Sequence, residues 1–205
     1  MRMFQTASEH DMVAHFLKHE LVSERFGPKI LSSLHHAGRE KRILENPNLQ
    51  DEAENTYRIQ LLGELRGYRQ NRGLFKHFPG DVAWALAALS KSDLSKIRYV
   101  DYSYWTELSN GTRSPAEAVK TIRSGITISG QSNEPFMKAA RAVERGIVFP
   151  EIIVVGKDEA SGFVVLEGHL RLTAYLLAEK NSPEEVRAFV GFSNNLTRWM
   201  AEDDG

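Results

Sequence analysis

The expected fold of this chain depends on one segment, Leu166-Glu167-Gly168-His169-Leu170-Arg171-Leu172-Thr173-Ala174-Tyr175. An apolar, β-branched run over 163–166 precedes the glycine and predicts a strand. Glycine adopts positive φ at little cost, so Gly168 predicts a sharp turn into a helix over 170–179. The first N–H groups of a helix lack intrahelical partners and carry partial positive charge. The turn is therefore a candidate site for a phosphate or another anion.

Three side chains at this turn suit that chemistry. Arg171 can add a planar, permanently charged donor to the same anion. His169 can donate a hydrogen bond or move a proton near neutral pH, and Glu167 can act as a base or hold Mg²⁺. A structural alternative stays open: Gly168 is only a tight turn, Arg171 pairs with a structural carboxylate, and His169 is an exposed turn residue. The Gly-x-x-Arg spacing by itself does not decide between the two.

From about residue 97 the sequence alternates short strands with helices, which predicts an α/β (α+β) fold with a small mixed sheet and flanking helices. The predicted strands are 97–102, 152–155, 163–166 and 186–190, and the predicted helices are 115–123, 133–145, 170–179 and 194–200. Residues before 96 have helical spacing and predict an all-α N-terminal region. That region includes a helix over 55–70 with Arg58 off its apolar side, and a helix begun by Asp81. We thus expect a helical region over 1–95 and an α/β domain over 96–205.

Composition limits the classes of function. The chain has 205 residues and 26 basic against 27 acidic side chains, so its net charge of −1 disfavours a general nucleic-acid binder. It has no cysteine, which excludes disulfides, cysteine-ligated zinc and thiol catalysis. No apolar run approaches the roughly 18–20 residues that span a membrane, and charged residues interrupt the first 21, so no signal peptide or membrane partner is expected. A cytoplasmic location is the expectation.

The order of parts from about residue 97 to 200 resembles the ParB/sulfiredoxin fold. The resemblance is carried by a polar turn with an arginine at 111–115, a helix containing Pro135, a Pro150-led strand and the strand ending in Gly-x-x-Arg. In both families that last element handles nucleotide phosphates. The resemblance therefore implies a phosphate site made of Gly168, His169, Leu170, Arg171, Thr112, Arg113 and Lys138.

One departure limits what the resemblance implies. Sulfiredoxin has its catalytic cysteine where this chain has His169, so reduction of a cysteine sulfinate is excluded. The string Glu167-Gly168-His169-Leu170-Arg171 instead resembles the acidic-Gly-His-His-Arg pattern of nucleotide-dependent serine kinases of this fold. That pattern implies phosphoryl chemistry without a thiol, with Glu167 and His169 as catalytic groups and Glu167 as the candidate Mg²⁺ ligand.

We therefore expect a protein that binds ATP, a related nucleotide or another phosphate ligand, with Mg-dependent hydrolysis or phosphotransfer as its chemistry. One alternative is a non-catalytic nucleotide sensor that presents its helical region to a protein partner. Another is a DNA-associated ParB-like protein, against which the net charge of −1 is the main difficulty. The whole-chain pattern also resembles a bacterial branch of this fold with an added N-terminal helical region, which by itself implies no activity.

Overall fold

A computed structural model describes residues 1–200 of the chain. These residues form two compact units, of which the first comprises 1–6 and 85–194 and the second 7–84 and 195–200. The predicted boundary between residues 95 and 96 falls inside the first unit. Along residues 1–200, no helix is both long and apolar enough to cross a bilayer.

The fold is α+β, as predicted, with a mixed sheet. The strands found in residues 1–200 are β1 (Arg2–Ala7), β2 (Ala83–Ser90), β3 (Ile152–Gly156), β4 (Val164–Glu167) and β5 (Glu185–Phe192). The α-helices found there are α1 (Glu9–Glu20), α2 (Gly27–His36), α3 (Arg42–Glu45), α4 (Glu52–Arg66), α5 (Lys91–Lys96), α6 (Ser103–Leu108), α7 (Pro115–Arg123), α8 (Glu134–Glu144), α9 (His169–Leu177) and α10 (Thr197–Met200). Short 3-10 turns lie at Gly73–Phe75 and Asn194–Leu196.

The sheet of the first unit has the strand order β1-β2-β5-β3-β4. β3 pairs in parallel with β5, with Val154 opposite Val190, and antiparallel with β4, with Val154 opposite Val165. Every residue of β3 is buried, which explains why its sequence is a continuous apolar run rather than an alternating one. α9 packs against α7, α8 and β3, so this helix is held on the sheet directly behind the turn at Gly168.

The predicted strands at 152–155, 163–166 and 186–190 are confirmed. The predicted helices at 115–123, 133–145 and 170–179 are also confirmed and correspond to α7, α8 and α9. The prediction of an all-α region over 1–95 is wrong at its two ends, where β1 and β2 are strands. Asp81 does not begin the predicted helix, because the residues after it form β2. The apolar residues of β2 suit a helix or a strand equally well. β2 is a strand because it lies between β1 and β5 and gains hydrogen bonds on both edges from neighbours that local spacing does not reveal.

The predicted strand over 97–102 is also wrong. In this stretch Arg98 alone forms a bridge, parallel to Val164 of β4. The next residue turns away from β4, since the N–H of Tyr99 donates to the carbonyl oxygen of Arg113 at 2.8 Å. This irregular segment nevertheless positions the site, because it runs beside β4 towards the turn.

Helix α4 of the second unit is built around a charged side chain. Its N-cap Asp51 accepts a hydrogen bond from the N–H of Glu54, and Gly67 ends it in the left-handed region at φ 90°. Arg58, in the middle of α4, is only 1% exposed. α4 therefore buries the guanidinium group of Arg58, a residue that the sequence pattern places off the apolar side of the helix.

Candidate functional site

The turn between β4 and α9 requires glycine. Gly168 has φ +94°, a left-handed conformation that L side chains rarely adopt. A Cβ atom placed on Gly168 would lie 2.7 Å from Cγ2 of Ile152, which is fully buried in β3. The glycine thus lets the chain leave β4 in close contact with the neighbouring strand, and α9 begins immediately after it.

Arg171 and Glu167 form an ion pair across this turn, with Nη2 of the arginine donating to Oε2 of the glutamate. The two side chains are 11% and 18% exposed, so the pair is largely withdrawn from water. This is the contact that the structural alternative expects for Arg171. An anion arriving at the turn must compete with Glu167 for the guanidinium group.

His169 is held in an aromatic stack rather than exposed. Its ring lies 4.7 Å from that of Trp105 at 22° between planes, and 5.8 Å from that of Tyr99 at 17°. A hydrogen-bonded chain fixes the backbone beneath the stack: Oγ1 of Thr173 donates to the carbonyl oxygen of His169 at 2.7 Å. Because Thr173 has one hydroxyl proton, the Tyr99 hydroxyl, 2.5 Å away, is the donor to Thr173.

Burial raises the pKa of the Tyr99 phenol well above its ordinary value, even though its hydrogen bond with Thr173 acts in the opposite direction. Burial raises the pKa of Tyr104 as well, and its ring contacts that of Trp105 at 5.0 Å. Both phenols stay neutral at physiological pH, so the wall beside His169 is uncharged.

Arg113 is tied to the same aromatic wall. Its Nε atom donates to the carbonyl oxygen of Tyr99 at 2.9 Å, and its Nη1 atom lies 4.0 Å from Oδ2 of Asp101. The backbone of Arg113 has φ +58°, which is uncommon for a residue with a side chain. The predicted second arginine is therefore connected to the cluster around His169 through Tyr99.

The other predicted phosphate residues lie in different surroundings. Thr112 lines a cavity that includes none of the residues from Glu167 to Arg171. Lys138 is exposed on α8 and makes no ion pair with any residue in 1–200. Leu170 is 37% exposed on the first turn of α9.

Sequence reasoning missed the specific roles of Trp105 and Tyr99. Both belong to an aromatic-rich stretch at 99–105, which is the signal that could have found them. Nothing in the local spacing indicates which ring stacks on His169, because that contact joins the N-terminus of α9 to residues more than sixty positions earlier.

The described part of the chain, residues 1–200, contains no group of three or more His, Asp or Glu side chains placed to hold a metal ion. Mg²⁺ in phosphate-handling sites is commonly held by one or two carboxylates together with substrate phosphates and water. The predicted single carboxylate ligand, Glu167, is paired with Arg171 and keeps 18% of its side chain exposed.

Comparison of the chain with protein-family models, with curated proteins and with solved structures finds no match. The ParB/sulfiredoxin-like resemblance stays a prediction.

Proposed function

We propose that the first unit is a ParB/sulfiredoxin-like domain that binds ATP, a related nucleotide or another phosphate ligand at the Gly168 turn, together with Mg²⁺. One observation supports this proposal above the others. A buried arginine and a carboxylate stand side by side at the N-terminus of α9, where Gly168 has no side chain with which to cap the helix.

A free phosphate is a poor ligand for this arrangement, since Glu167 repels it while occupying Arg171. A magnesium–nucleotide complex carries both signs of charge. Its phosphate can replace Glu167 at Arg171 while the carboxylate stays next to a cation, so neither buried charge loses its partner. Bound Mg²⁺ neutralises phosphate charge, which is a main requirement of phosphoryl transfer.

The helix adds to the attraction. The first turn of α9 presents the positive end of the helix dipole to the same place, and His169 is the residue that begins the helix. Its ring is oriented by Trp105 and Tyr99, so the imidazole is held in place at the start of the helix. Binding is the core of the proposal; Glu167 and His169 are the groups to test for acid–base catalysis.

Replacing Glu167 by glutamine tests the proposal. In the absence of Mg²⁺ we expect Glu167→Gln to bind ATP more tightly than the wild type, because the competing negative charge is gone. With Mg²⁺ we expect the variant to lose the increase in affinity that the wild type shows. Thermal unfolding with ATP, ADP, AMP and CTP, with and without Mg²⁺, measures both effects; a ligand at 100 times its Kd stabilises by about 2.7 kcal/mol.

The matched control is Glu134→Gln, which removes an exposed carboxylate paired with Arg141 on α8. It should leave nucleotide binding unchanged. The proposal is wrong if no nucleotide shifts the melting temperature of the wild type, or if Glu167→Gln responds to nucleotides and Mg²⁺ as the wild type does. Release of phosphate by the wild type and its loss in Glu167→Gln indicates an enzyme; binding without release indicates the sensor.

A further inference from the structure

A second concave site lies at the other end of β4. Its volume is about 530 Å³, and three chain segments line it: the end of α5 with the residues after it, the turn around Arg113, and the connection between β3 and β4. The four residues of β4 separate it from Gly168, a distance of about 13 Å along an extended strand. It is therefore distinct from the Gly168 turn.

Backbone hydrogen bonds fix the walls of this cavity relative to one another. The N–H of Arg98 donates to the carbonyl oxygen of Phe163, and the N–H of Val165 donates to that of Arg98, both at 2.8 Å. Beside the lining residue Glu159, Oδ1 of Asp158 accepts the N–H groups of Ala160 and Ser161 at 2.9 and 2.8 Å. These bonds hold the segment around Arg98 and the connection between β3 and β4 against each other.

The charges in the cavity favour an anion. Lys96 and Arg98 both line it, both are exposed, and neither forms an ion pair within residues 1–200. Of the two acidic residues in the lining, Asp93 is already paired with the amino group of Met1 at 2.8 Å. Burial opposes the charged form of Asp93, but the hydrogen bonds from that amino group and from Ser90 outweigh it and lower its pKa. Glu159 is left as the only unpaired acid among the described lining residues, against two cations.

Hydroxyl groups supply the remaining polar surface. Ser95, Thr112 and Ser161 line the cavity, and their hydroxyl groups already donate to protein oxygens, so towards a ligand they can act only as acceptors. Oγ1 of Thr112 also accepts the N–H of Ser114 at 3.1 Å. The hydroxyl of Ser114 makes no hydrogen bond within residues 1–200 and can donate. Donors, acceptors and a carboxylate in one cavity match the several hydroxyl groups of a polyol.

We infer that this cavity binds a small phosphorylated polyol, of the sugar-phosphate class, with its phosphate on Arg98 and Lys96 and its hydroxyl groups on the serine, threonine and Glu159 side chains. A guanidinium group offers paired donors that match phosphate oxygens, and a nearby ammonium adds a point charge. The volume of about 530 Å³ lies in the range of small-molecule sites. This inference does not depend on nucleotide binding at Gly168.

Titration calorimetry with glucose 6-phosphate as the probe tests the inference on the full chain, with glucose and inorganic phosphate as the separate parts. We expect the sugar phosphate to bind more tightly than either part. Arg98→Ala and Lys96→Ala should each weaken it about tenfold or more, the usual effect of losing a charge-assisted hydrogen bond. Both side chains are exposed, so the variants should keep the melting temperature of the wild type.

Lys180→Ala is the matched control, because Lys180 is an exposed lysine of the same unit that is absent from the cavity lining. It should bind the probe as the wild type does. The inference is overturned if glucose 6-phosphate does not bind, if inorganic phosphate binds as tightly, or if Arg98→Ala and Lys96→Ala retain wild-type affinity. The last result would place the ligand outside this cavity.

Discussion

Replacing Arg58 by methionine is expected to lower the free energy of unfolding by about 3–5 kcal/mol, the range seen when one partner of a buried ion pair is removed. The side chain is 1% exposed. Its Nη1 atom donates to the carbonyl oxygen of Ile43 at 2.9 Å and to Oε2 of Glu54 at 3.2 Å. Its Nη2 atom donates to the carbonyl oxygen of Asn48 at 3.1 Å and to Oδ1 of Asn55 at 2.5 Å.

The loss comes mainly from the acceptors left behind. Methionine fills a similar volume but donates nothing, so two backbone carbonyl oxygens, Oδ1 of Asn55 and the Glu54 carboxylate lose a buried donor. Arg42 still reaches Oε1 of Glu54 at 3.0 Å, but its own side chain is 55% exposed and it cannot replace the buried donor. A double variant, Arg58→Met with Glu54→Leu, should recover part of the loss because it removes the uncompensated charge.

The pH dependence of this difference has a definite sign. Burial works to raise the pKa of Glu54, but the hydrogen bonds from Arg42 and Arg58 outweigh it and lower the pKa. A lowered folded-state pKa stabilises the protein above the ordinary glutamate pKa, and that contribution is lost as the pH falls through the folded-state value. The difference in the free energy of unfolding between the wild type and Arg58→Met should therefore become smaller at acidic pH.

Urea titrations followed by circular dichroism measure the loss, and hydrogen exchange of the α4 amides shows where it acts. Arg145→Met is the control, since Arg145 is exposed and its side chain makes no hydrogen bond or ion pair within residues 1–200; it should stay within about 0.5 kcal/mol of the wild type. If Arg58→Met behaves like this control, the buried network contributes nothing to stability.

Arg58 also shows where a sequence pattern fails. Helical spacing placed it away from the apolar side of α4, because a lone charged residue is usually solvated. Its burial depends on oxygens from Ile43, Asn48 and Asn55, two of which lie outside α4, and no periodicity in α4 reports them. The strand β2 escaped prediction for a related reason, since its strand neighbours β1 and β5 are remote in sequence.

The Gly168 turn was predictable because its signals are local: an apolar strand, a glycine and a helix follow one another within a few residues. The partner of Arg171 could not be predicted, because a guanidinium group four residues from a carboxylate can either pair with that carboxylate or bind a phosphate. The polar cavity had no sequence signal at all. Lys96, Thr112 and Ser161 come from three separate segments that only the tertiary fold brings together.

Replacing Gly168 by alanine is expected to lower the free energy of unfolding by about 2–5 kcal/mol, the sum of left-handed backbone strain and overpacking. The new methyl group would lie 2.7 Å from Cγ2 of Ile152, a β-branched side chain that cannot swing aside within the core, and 3.1 Å from Nη2 of Arg171. The substitution therefore strains the turn and presses on the arginine that pairs with Glu167.

Gly146→Ala separates these two contributions. Gly146 has φ +84°, close to that of Gly168, but nothing lies within 4 Å of a Cβ atom placed there. We expect Gly146→Ala to lower the free energy of unfolding only by the backbone strain, about 1–2 kcal/mol. The difference between the two variants in urea titrations then measures the contact with β3, and hydrogen exchange over 164–177 should rise only in Gly168→Ala. Equal losses would mean that Ile152 yields to the methyl group, and that close packing against β3 is not what selects glycine at the start of α9.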